Sequence, residues 1–409
     1  MKKLLVLSLL ASPVLVKAQA FSTGYVGEKQ NGMGGAGSAL PLDASSAGIN
    51  PGSMSFVNGN SITIGGAAAI SNTTYLDANN GSLAHSKNAV GTPFHAYFVY
   101  GIKDSASLLG KFKFGIGIST PFGGDSHWEN NWTGKYSIVD KNLKSVAIAP
   151  AVSYKINSKL GVGLALGYSE STLHVENAVP VSQTANVVMD FKSRGMGFGG
   201  GIYYKPTEKL SLALGYLSQV NNKSYKGTAT FTVPSLLTST FPSGSATTKS
   251  SVPAGLSLGA GYKVNDKLTL ALDVNYGFWK CFDSTIFIYT AATPTSALSS
   301  TRLPNKYKNA VSVRLGAQYK IMDKCTARAG VSYEQTPVPS DYVYPETPDA
   351  DRINLTCGAS YVINKKFSLD FSYRFVNVMK RTSTNVNSKM SGTYKTYAHV
   401  TGLSLNYNF

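Results

Sequence analysis

Acidic and basic side chains recur at the polar positions of several alternating segments in the C-terminal third of the chain. If those segments are strands, every second residue faces the same side, and the charges lie opposite to the apolar residues. Opposed charges on an enclosed surface form a salt-bridged wall or bind the polar head of a ligand, and the sequence leaves both interpretations open. The residues are Asp273, Arg314, Arg328, Glu334, Asp370 and Arg374.

No other pattern in the sequence indicates catalysis, a cofactor or a metal. The three cysteines show neither a C-x-x-C nor a metal-ligand spacing, and the five histidines are scattered. Residues 195–200 match G-x-G-x-x-G, but a nucleotide site needs a strand–helix context that the surrounding sequence does not provide. His174 and His399 are available to a phospholipase-like serine, yet no serine stands in a recognisable context. We therefore predict a protein that is not an enzyme and has no cofactor and no metal site.

Strict alternation of apolar and polar residues is the pattern on which the predicted fold rests. In residues 403–409 Leu, Leu, Tyr and Phe alternate with polar residues, which indicates a strand with one apolar face. The alternation recurs in fourteen segments, among them residues 60–72 and 267–288, and no helical segment offers an apolar partner. A membrane offers one, and strands cross a membrane only as a closed barrel. The predicted fold class is all-β, a 14-stranded antiparallel transmembrane β-barrel with alternating short and long connections.

Composition agrees with a barrel. Charged residues are 14% of the 409 residues, against about 25% in soluble domains, and the chain has 24 tyrosines and 40 glycines, which suits aromatic girdles and tight turns. Mean hydropathy is −0.05, and past the N-terminus no run reaches the roughly 20 apolar residues of a spanning helix. The formal net charge of +17 indicates solvated loops or attraction to anionic lipids. No basic patch with interleaved aromatic residues indicates nucleic acid binding.

Two segments precede the strands. Residues 1–20 have a basic start, an apolar core and an Ala-x-Ala ending, which predicts a signal peptide cleaved after Ala18 or Ala20. Residues 21–58 are rich in glycine and serine and lack alternation. Because such backbone is not stable against lipid, we expect an N-terminal hatch that plugs the lumen, or else a flexible periplasmic leader. Residues 59–409 form the predicted barrel.

Small residues and tryptophans indicate where a ligand would pass. The inward face of several strands is nearly all small, as at Gly115 and Gly117, which leaves room for a plug or a bulky apolar ligand or permits strand bends. The predicted loop over residues 120–136 carries Trp128 and Trp132. These residues are interfacial anchors or an apolar surface that captures a hydrophobic ligand.

Several stretches resemble the FadL/TodX-type outer-membrane transporters of long-chain fatty acids and aromatic hydrocarbons. Residues 32–51 resemble the family's N-terminal hatch, with Asn50-Pro51-Gly52 where the family has Asn-Pro-Ala. The other similar stretches are residues 120–136, 278–284 and 337–352.

The resemblance implies a mechanism as well as a fold. Outer loops capture a hydrophobic ligand, which moves into an apolar pocket and leaves past the hatch or laterally through the wall at the third strand, without coupling to an energy source. The implied hatch or gating residues are Asp43, Ser45, Asn50 and Pro51, and the implied lateral-opening residues are Gly115 and Gly117. The candidate ligand-binding residues are Trp128, Trp132, Trp279, Lys280 and Arg314, with Lys280 and Arg314 as candidates for binding a carboxylate.

The predicted function is passive uptake of hydrophobic molecules, such as long-chain fatty acids, across a Gram-negative outer membrane. The alternative is a general porin for small polar solutes, which would need an open lumen. Expected partners are hydrophobic small molecules, outer-membrane lipid and lipopolysaccharide, and the barrel-assembly machinery acting on the strand that ends at Phe409. We expect a monomer that does not bind nucleic acid. Fatty acids, aromatic hydrocarbons and other lipids all fit the sequence as ligands.

Overall fold

The computed structural model describes residues 24–102, 107–221, 224–249, 251–292, 298–386, 388 and 390–409. The predicted signal peptide, residues 1–20, lies outside the described residues.

Fourteen antiparallel strands, counted over the described residues, close into one barrel. The last strand pairs with the first in continuous register from Ser61↔Asn408 to Asp77↔Gly392. Closure pairs the backbone groups of both edge strands, which a barrel in lipid requires, and it confirms the predicted fold class. The strands are β1 (Ser61–Asp77), β2 (Leu83–His85, Ala89–Gly91 and Phe94–Gly101), β3 (Phe112–Ser119 and Gly123–His127), β4 (Asp140–Lys155), β5 (Leu160–Ala178), β6 (Asn186–Tyr204), β7 (Leu210–Leu217, Val220–Asn221 and Tyr225–Thr232), β8 (Gly244–Thr248, Ser251–Val252 and Gly255–Lys263), β9 (Leu268–Gly277 and Ser284–Tyr289), β10 (Ser300–Pro304 and Ala310–Met322), β11 (Cys325–Glu334), β12 (Arg352–Val362), β13 (Phe367–Thr384) and β14 (Ser391–Asn408).

Alternation along each strand separates a lipid-facing surface from an inner surface. On β14 the outward Leu403 is 62% exposed, whereas its inward neighbours Ser404 and Asn406 are buried. The same pattern holds on β13, where Leu369 is exposed and Asp370 is buried. The outer apolar residues therefore face the membrane, and polar residues line the interior. Among the residues that the structure describes, no helix is long and apolar enough to cross a membrane.

The structure extends some strands beyond their predicted ends and interrupts others. A strand predicted over residues 60–72 continues to Asp77, because residues 71–74, Ser-Asn-Thr-Thr, are polar at every position, which hides their alternation. A strand predicted over residues 267–288 stops at Gly277 and resumes at Ser284. The intervening residues are mostly apolar without alternation, and they form the short 3₁₀ turn Trp279–Cys281.

Residues 24–57, hereafter the N-terminal segment, lie inside the barrel. They form three short helices, α1 (Glu28–Asn31), α2 (Ser46–Ile49) and α3 (Pro51–Met54), which contact the inner faces of the strands. Asn50 starts α3 by accepting a hydrogen bond from the Gly52 N–H at 2.9 Å, and Pro51 occupies the first helical position, where its missing N–H costs nothing. The Asn50 amide also donates to the Ile202 carbonyl of β6 at 3.1 Å, which joins the segment to the wall.

Inward glycines make the space that the N-terminal segment occupies. A Cβ atom at Gly316 or Gly330 would overlap Met33, and one at Gly163 would overlap Pro51. The small inner residues therefore accommodate the N-terminal segment. This agrees with one of the three interpretations of these residues, namely that they leave room for a plug. The remaining glycines whose added Cβ would meet the segment are Gly115, Gly161, Gly201, Gly259, Gly261, Gly358 and Gly402.

Substitution of Gly330 by valine tests this close packing. The added side chain overlaps the backbone of Met33 and Gly34, and overpacking of this kind costs about 1–3 kcal/mol. We expect faster limited proteolysis of the N-terminal segment and a lower midpoint of thermal unfolding. Gly167→Ala on β5 is the control, because its new methyl group would lie 3.7 Å from the Gly197 carbonyl oxygen, an ordinary contact. Equal proteolysis of the two variants would contradict the packing described.

Candidate functional site

A cavity of about 750 Å³ lies inside the barrel toward the long loops. It is lined mainly by apolar side chains from the loop-side halves of β4 to β9, including Leu173, Val175, Val187 and Met189. Concave, mostly apolar cavities of this size suit small hydrophobic ligands. Ten aromatic side chains contribute to the lining, namely Phe122, Tyr136, Tyr225, Phe231, Phe241, Phe282, Phe287, Tyr289, Tyr307 and Tyr344.

One corner of the cavity is polar. The Lys141 ammonium donates hydrogen bonds to the Glu346 carbonyl oxygen at 3.3 Å and to Thr347 Oγ1 at 3.1 Å. Burial raises the pKa of the Glu346 carboxyl to about 7, and the nearby Lys141 acts in the opposite direction. Arg302 also lines the cavity, but its side chain is 62% exposed and lies 3.7 Å from Asp283. Of the two cations among the described lining residues, Lys141 is therefore the enclosed one.

The loop between β11 and β12, residues 335–351, covers the cavity. It contacts the far wall through Lys141 and through Ser126, whose hydroxyl donates to the Pro345 carbonyl at 3.3 Å. On the other side Tyr344 donates to the Pro304 carbonyl at 3.1 Å, and the Asn385 amide donates to the Val343 carbonyl at 3.0 Å. The loop thus spans from β3 and β4 to β10 and the end of β13.

An ion pair inside the N-terminal segment joins it to the barrel. The Lys29 ammonium lies 3.1 Å from Asp43 and 3.8 Å from Asp370 of β13. Ser45 donates through its hydroxyl and through its N–H, at 2.9 Å, to Asp43. Burial acts to raise the pKa of the Asp43 carboxyl, but Lys29 and Ser45 outweigh it and lower that pKa. The structure therefore brings together two of the predicted hatch residues, Asp43 and Ser45, in one buried network.

The inward charges of the wall also contact the N-terminal segment. Asp273 accepts hydrogen bonds from the Ser38 N–H at 3.0 Å and the Gly37 N–H at 3.2 Å. Arg314 lies 3.3 Å from Glu334 and donates to the Gly35 carbonyl at 3.4 Å. Arg314 and Glu334 thus form an ion pair within the wall, as one interpretation of the sequence predicted. Asp273 and Arg314 also bind a segment of the same chain.

Arg374 and Glu28 extend the same interface. Arg374 donates to the Asn31 side-chain oxygen at 2.7 Å and to the Gly24 carbonyl at 3.2 Å. Glu28 accepts hydrogen bonds from Tyr25 and from Ser372 of β13. Burial raises the pKa of the Glu28 carboxyl despite these hydrogen bonds, which act to lower it. The alternation of inward and outward residues along a strand predicts that Arg374 lies inside the barrel. It does not predict which backbone atoms the side chain contacts.

The five candidate ligand-binding residues lie outside the described lining of the cavity. Trp128 and Trp132 are buried and stack with ring centroids 4.1 Å apart, in the same apolar cluster as the lining residues Val175 and Val187. Trp279 is buried in that cluster as well, while Arg314 contacts the N-terminal segment. The backbone N–H of Lys280 donates to Asn309 at 3.0 Å. Ligand binding by Trp128, Trp132, Trp279, Lys280 and Arg314 stays a prediction.

The ladder between β2 and β3 is regular only over its lower part. It runs from Gly101↔Lys113 to His95↔Ser119, and the Thr120 N–H donates to the Phe94 carbonyl at 3.2 Å just beyond it. Backbone hydrogen bonding between the two strands is found again where the Lys87 N–H donates to the His127 carbonyl at 2.8 Å. The upper segments of β2 register with β1, and Gly123–His127 registers with β4. Gly115 and Gly117, the predicted lateral-opening residues, lie within the regular part.

A closed transmembrane barrel that encloses an apolar cavity is the architecture of an outer-membrane transport protein. The chain belongs to the family described as outer membrane protein transport protein (OMPP1/FadL/TodX), whose model matches residues 9–409. Members of this family are transport channels of the Gram-negative outer membrane.

Individual relatives cover nearly the whole chain at low identity. The chain is 24% identical to outer membrane protein P1 of Haemophilus influenzae, covering 98% of this chain and 99% of that protein. It is 23% identical to a long-chain fatty acid transport protein of Escherichia coli, covering 98% of each. Among solved structures, it resembles a Pseudomonas aeruginosa FadL homologue with a TM-score of 0.83 at 22% identity, covering 95% of this chain and 99% of that one. The Pseudomonas putida toluene transporter TodX gives a TM-score of 0.75 at 18% identity, covering 94% and 98%.

Asp43→Asn and Glu28→Gln distinguish two kinds of buried carboxyl group. Loss of one partner of a buried ion pair costs about 3 kcal/mol, so Asp43→Asn should increase amide hydrogen exchange throughout residues 24–57. Glu28 accepts hydrogen bonds from Tyr25 and Ser372, and Glu28→Gln keeps an acceptor oxygen for them, so it should cost less than about 1 kcal/mol. Similar exchange in both variants would contradict the ion-pair account.

The two carboxyl groups also have opposite pH dependence. The Asp43 pKa is lowered from its usual 3.8, so its contribution is present above pH 3.8 and is lost as the pH falls through the lowered value. The Glu28 pKa is raised from 4.5, so its contribution is present below pH 4.5 and is lost as the pH rises through the raised value. We therefore expect the N-terminal segment of the wild type to exchange its amide hydrogens faster at acid pH, and we expect Asp43→Asn to remove this pH dependence.

Proposed function

We propose that this protein mediates passive uptake of hydrophobic molecules, such as long-chain fatty acids, through the outer membrane. The observation that carries the proposal is the aromatic cavity of about 750 Å³ above the buried N-terminal segment. Apolar molecules gain about 25 cal/mol for each Å² of surface removed from water, so such a cavity concentrates them without an energy source. The proposed role is transport without chemical conversion.

The ligand would lie with its apolar part among the aromatic residues and its polar head near Lys141. Relatives support two ligand types, because one is named for long-chain fatty acids and a structural neighbour for toluene. A fatty acid carries a charged head group and toluene does not. Lys141 is the enclosed cation among the described lining residues of the cavity. This arrangement favours an amphiphile with an anionic head, since charge-assisted hydrogen bonds are the stronger kind.

The N-terminal segment would act as the hatch, and release would proceed laterally. The segment is tied to the wall by buried ion pairs and hydrogen bonds on β6, β9, β10 and β13, so its displacement breaks many contacts. The ladder between β2 and β3 is interrupted beyond the Thr120–Phe94 hydrogen bond, so a path between these strands on the loop side of it breaks fewer backbone hydrogen bonds. A general porin needs an open lumen, which the position of residues 24–57 argues against.

Lys141→Met should separate anionic from neutral ligands. A hydrogen bond to a charged group contributes about 1.5–3 kcal/mol, so palmitate binding to the purified barrel should weaken roughly ten- to a hundredfold. Binding of hexadecane, which has the same chain length and no charge, should be unchanged and serves as the control. Equal loss for both ligands would mean that the variant disturbs the loop 335–351 and that Lys141 does not bind the head group.

A disulfide between the N-terminal segment and β9 should separate lateral release from release past the hatch. Ser38 Oγ lies 3.0 Å from Asp273 Oδ1, so the two side chains are neighbours, and disulfide formation in Ser38→Cys/Asp273→Cys is verified by thiol titration before uptake is measured. The three native cysteines, Cys281, Cys325 and Cys357, are replaced by alanine in the background. We expect fatty acid uptake by cells to be the same in the oxidised and reduced states. Uptake that requires reduction would show that the ligand passes the hatch.

A further inference from the structure

A row of lysines crosses the outer face of β4, β6 and β7 near the long loops. In the strand register, Lys144 pairs with Thr172, Thr172 with Lys192, and Lys192 with Lys226. All four residues are exposed, whereas the adjacent Phe191 and Tyr225 are buried on the inner side. Lys192 and Lys226 are directly opposed on neighbouring strands, where Cβ atoms are about 5 Å apart.

The three lysines have no carboxylate partner within 4 Å among the described residues, although acidic residues share their face. Those carboxylates have other partners. Asp190 lies 2.8 Å from His174, and Glu170 lies 3.2 Å from Arg194. Asp140 likewise contacts His127. Asp125 is diagonal to Lys144 in the register and attracts it, so the opposed pair Lys192 and Lys226 is the least compensated part of the row.

The row lies just above the lipid-facing apolar band. The band ends at exposed Val146, Tyr168 and Met196, and Met196 is 70% exposed. The next outward-facing pair toward the long loops is Glu170 with Arg194, and the pair after it is Thr172 with Lys192 of the lysine row. At about 3.4 Å per residue, Lys192 lies roughly 14 Å along the strand from Met196. This places the ammonium groups, on flexible side chains, at the height of the lipid head groups.

We propose that Lys192 and Lys226, flanked by Lys144 and the Thr172 hydroxyl, bind a phosphorylated head group of an outer-leaflet lipid. Like charges directly opposed on neighbouring strands destabilise a sheet, and a phosphate between them removes that repulsion. Ammonium groups are point donors that suit phosphate oxygens, and an acyl chain of the same lipid would lie on the apolar band below. The site is outside the barrel, so it is separate from the cavity and does not depend on the proposed transport function.

Native mass spectrometry of the full-length barrel with added lipid A tests the proposal. The wild-type protein should retain diphosphorylated lipid A, and Lys192→Gln/Lys226→Gln should reduce the retained fraction at least several-fold. The matched control is Lys159→Gln/Lys366→Gln, which removes the same charge from exposed turns at the opposite end of the barrel. Each variant is also checked for the heat-modifiable mobility of a folded barrel.

Two further arms identify what the lysines recognise. Lipid A without phosphate groups should be retained equally weakly by all three proteins. Inorganic phosphate at millimolar concentration should not displace bound lipid A, because it lacks the acyl chains. Equal retention of lipid A by the wild type and the double variant would overturn the proposal. Displacement by inorganic phosphate alone would overturn the assignment to a lipid and leave a simple anion site.

Discussion

The pairing of backbone hydrogen bonds in lipid is the constraint on which the rest of this structure depends. An unpaired N–H or carbonyl in hydrocarbon costs several kcal/mol, so β1 must close on β14, as it does over seventeen residue pairs. Closure of fourteen strands creates an interior that strand side chains alone do not fill. The interior must therefore be filled by water, by another part of the chain or by ligand. In this barrel the N-terminal segment fills one end, and the cavity of about 750 Å³ occupies the other.

The contacts of the N-terminal segment explain features of the strands that otherwise look unrelated. Inner glycines such as Gly316 and Gly330 leave space for Met33, and inner charges such as Asp273 and Arg374 bind polar groups of the segment. Buried charges are stable only when they are paired and hydrogen-bonded. The wall and the segment therefore depend on one another, since removal of the segment would take away these hydrogen-bond partners.

The sequence predicted the barrel well because alternation, short turns and the terminal strand are local signals. It placed the charges Asp273, Asp370 and Arg374 on the inner face for the same reason. It did not reveal the cavity, whose lining residues come from distant strands and from the loop 335–351, because contacts between loops leave no periodic signal. Lys141 was missed for this reason, although it stands at an inward position near the start of β4. The family resemblance supplied the hatch, whereas residue patterns alone left a plug and a flexible leader equally open.

Ion conductance across a planar bilayer tests the central claim, which is that residues 24–57 close the barrel. The full-length protein is compared with a variant that lacks residues 24–52 and retains every strand. We predict that the full-length protein conducts little and that the deletion variant conducts freely, because the space beneath the cavity fills with water. Free conductance by the full-length protein would contradict this account and would favour a general porin.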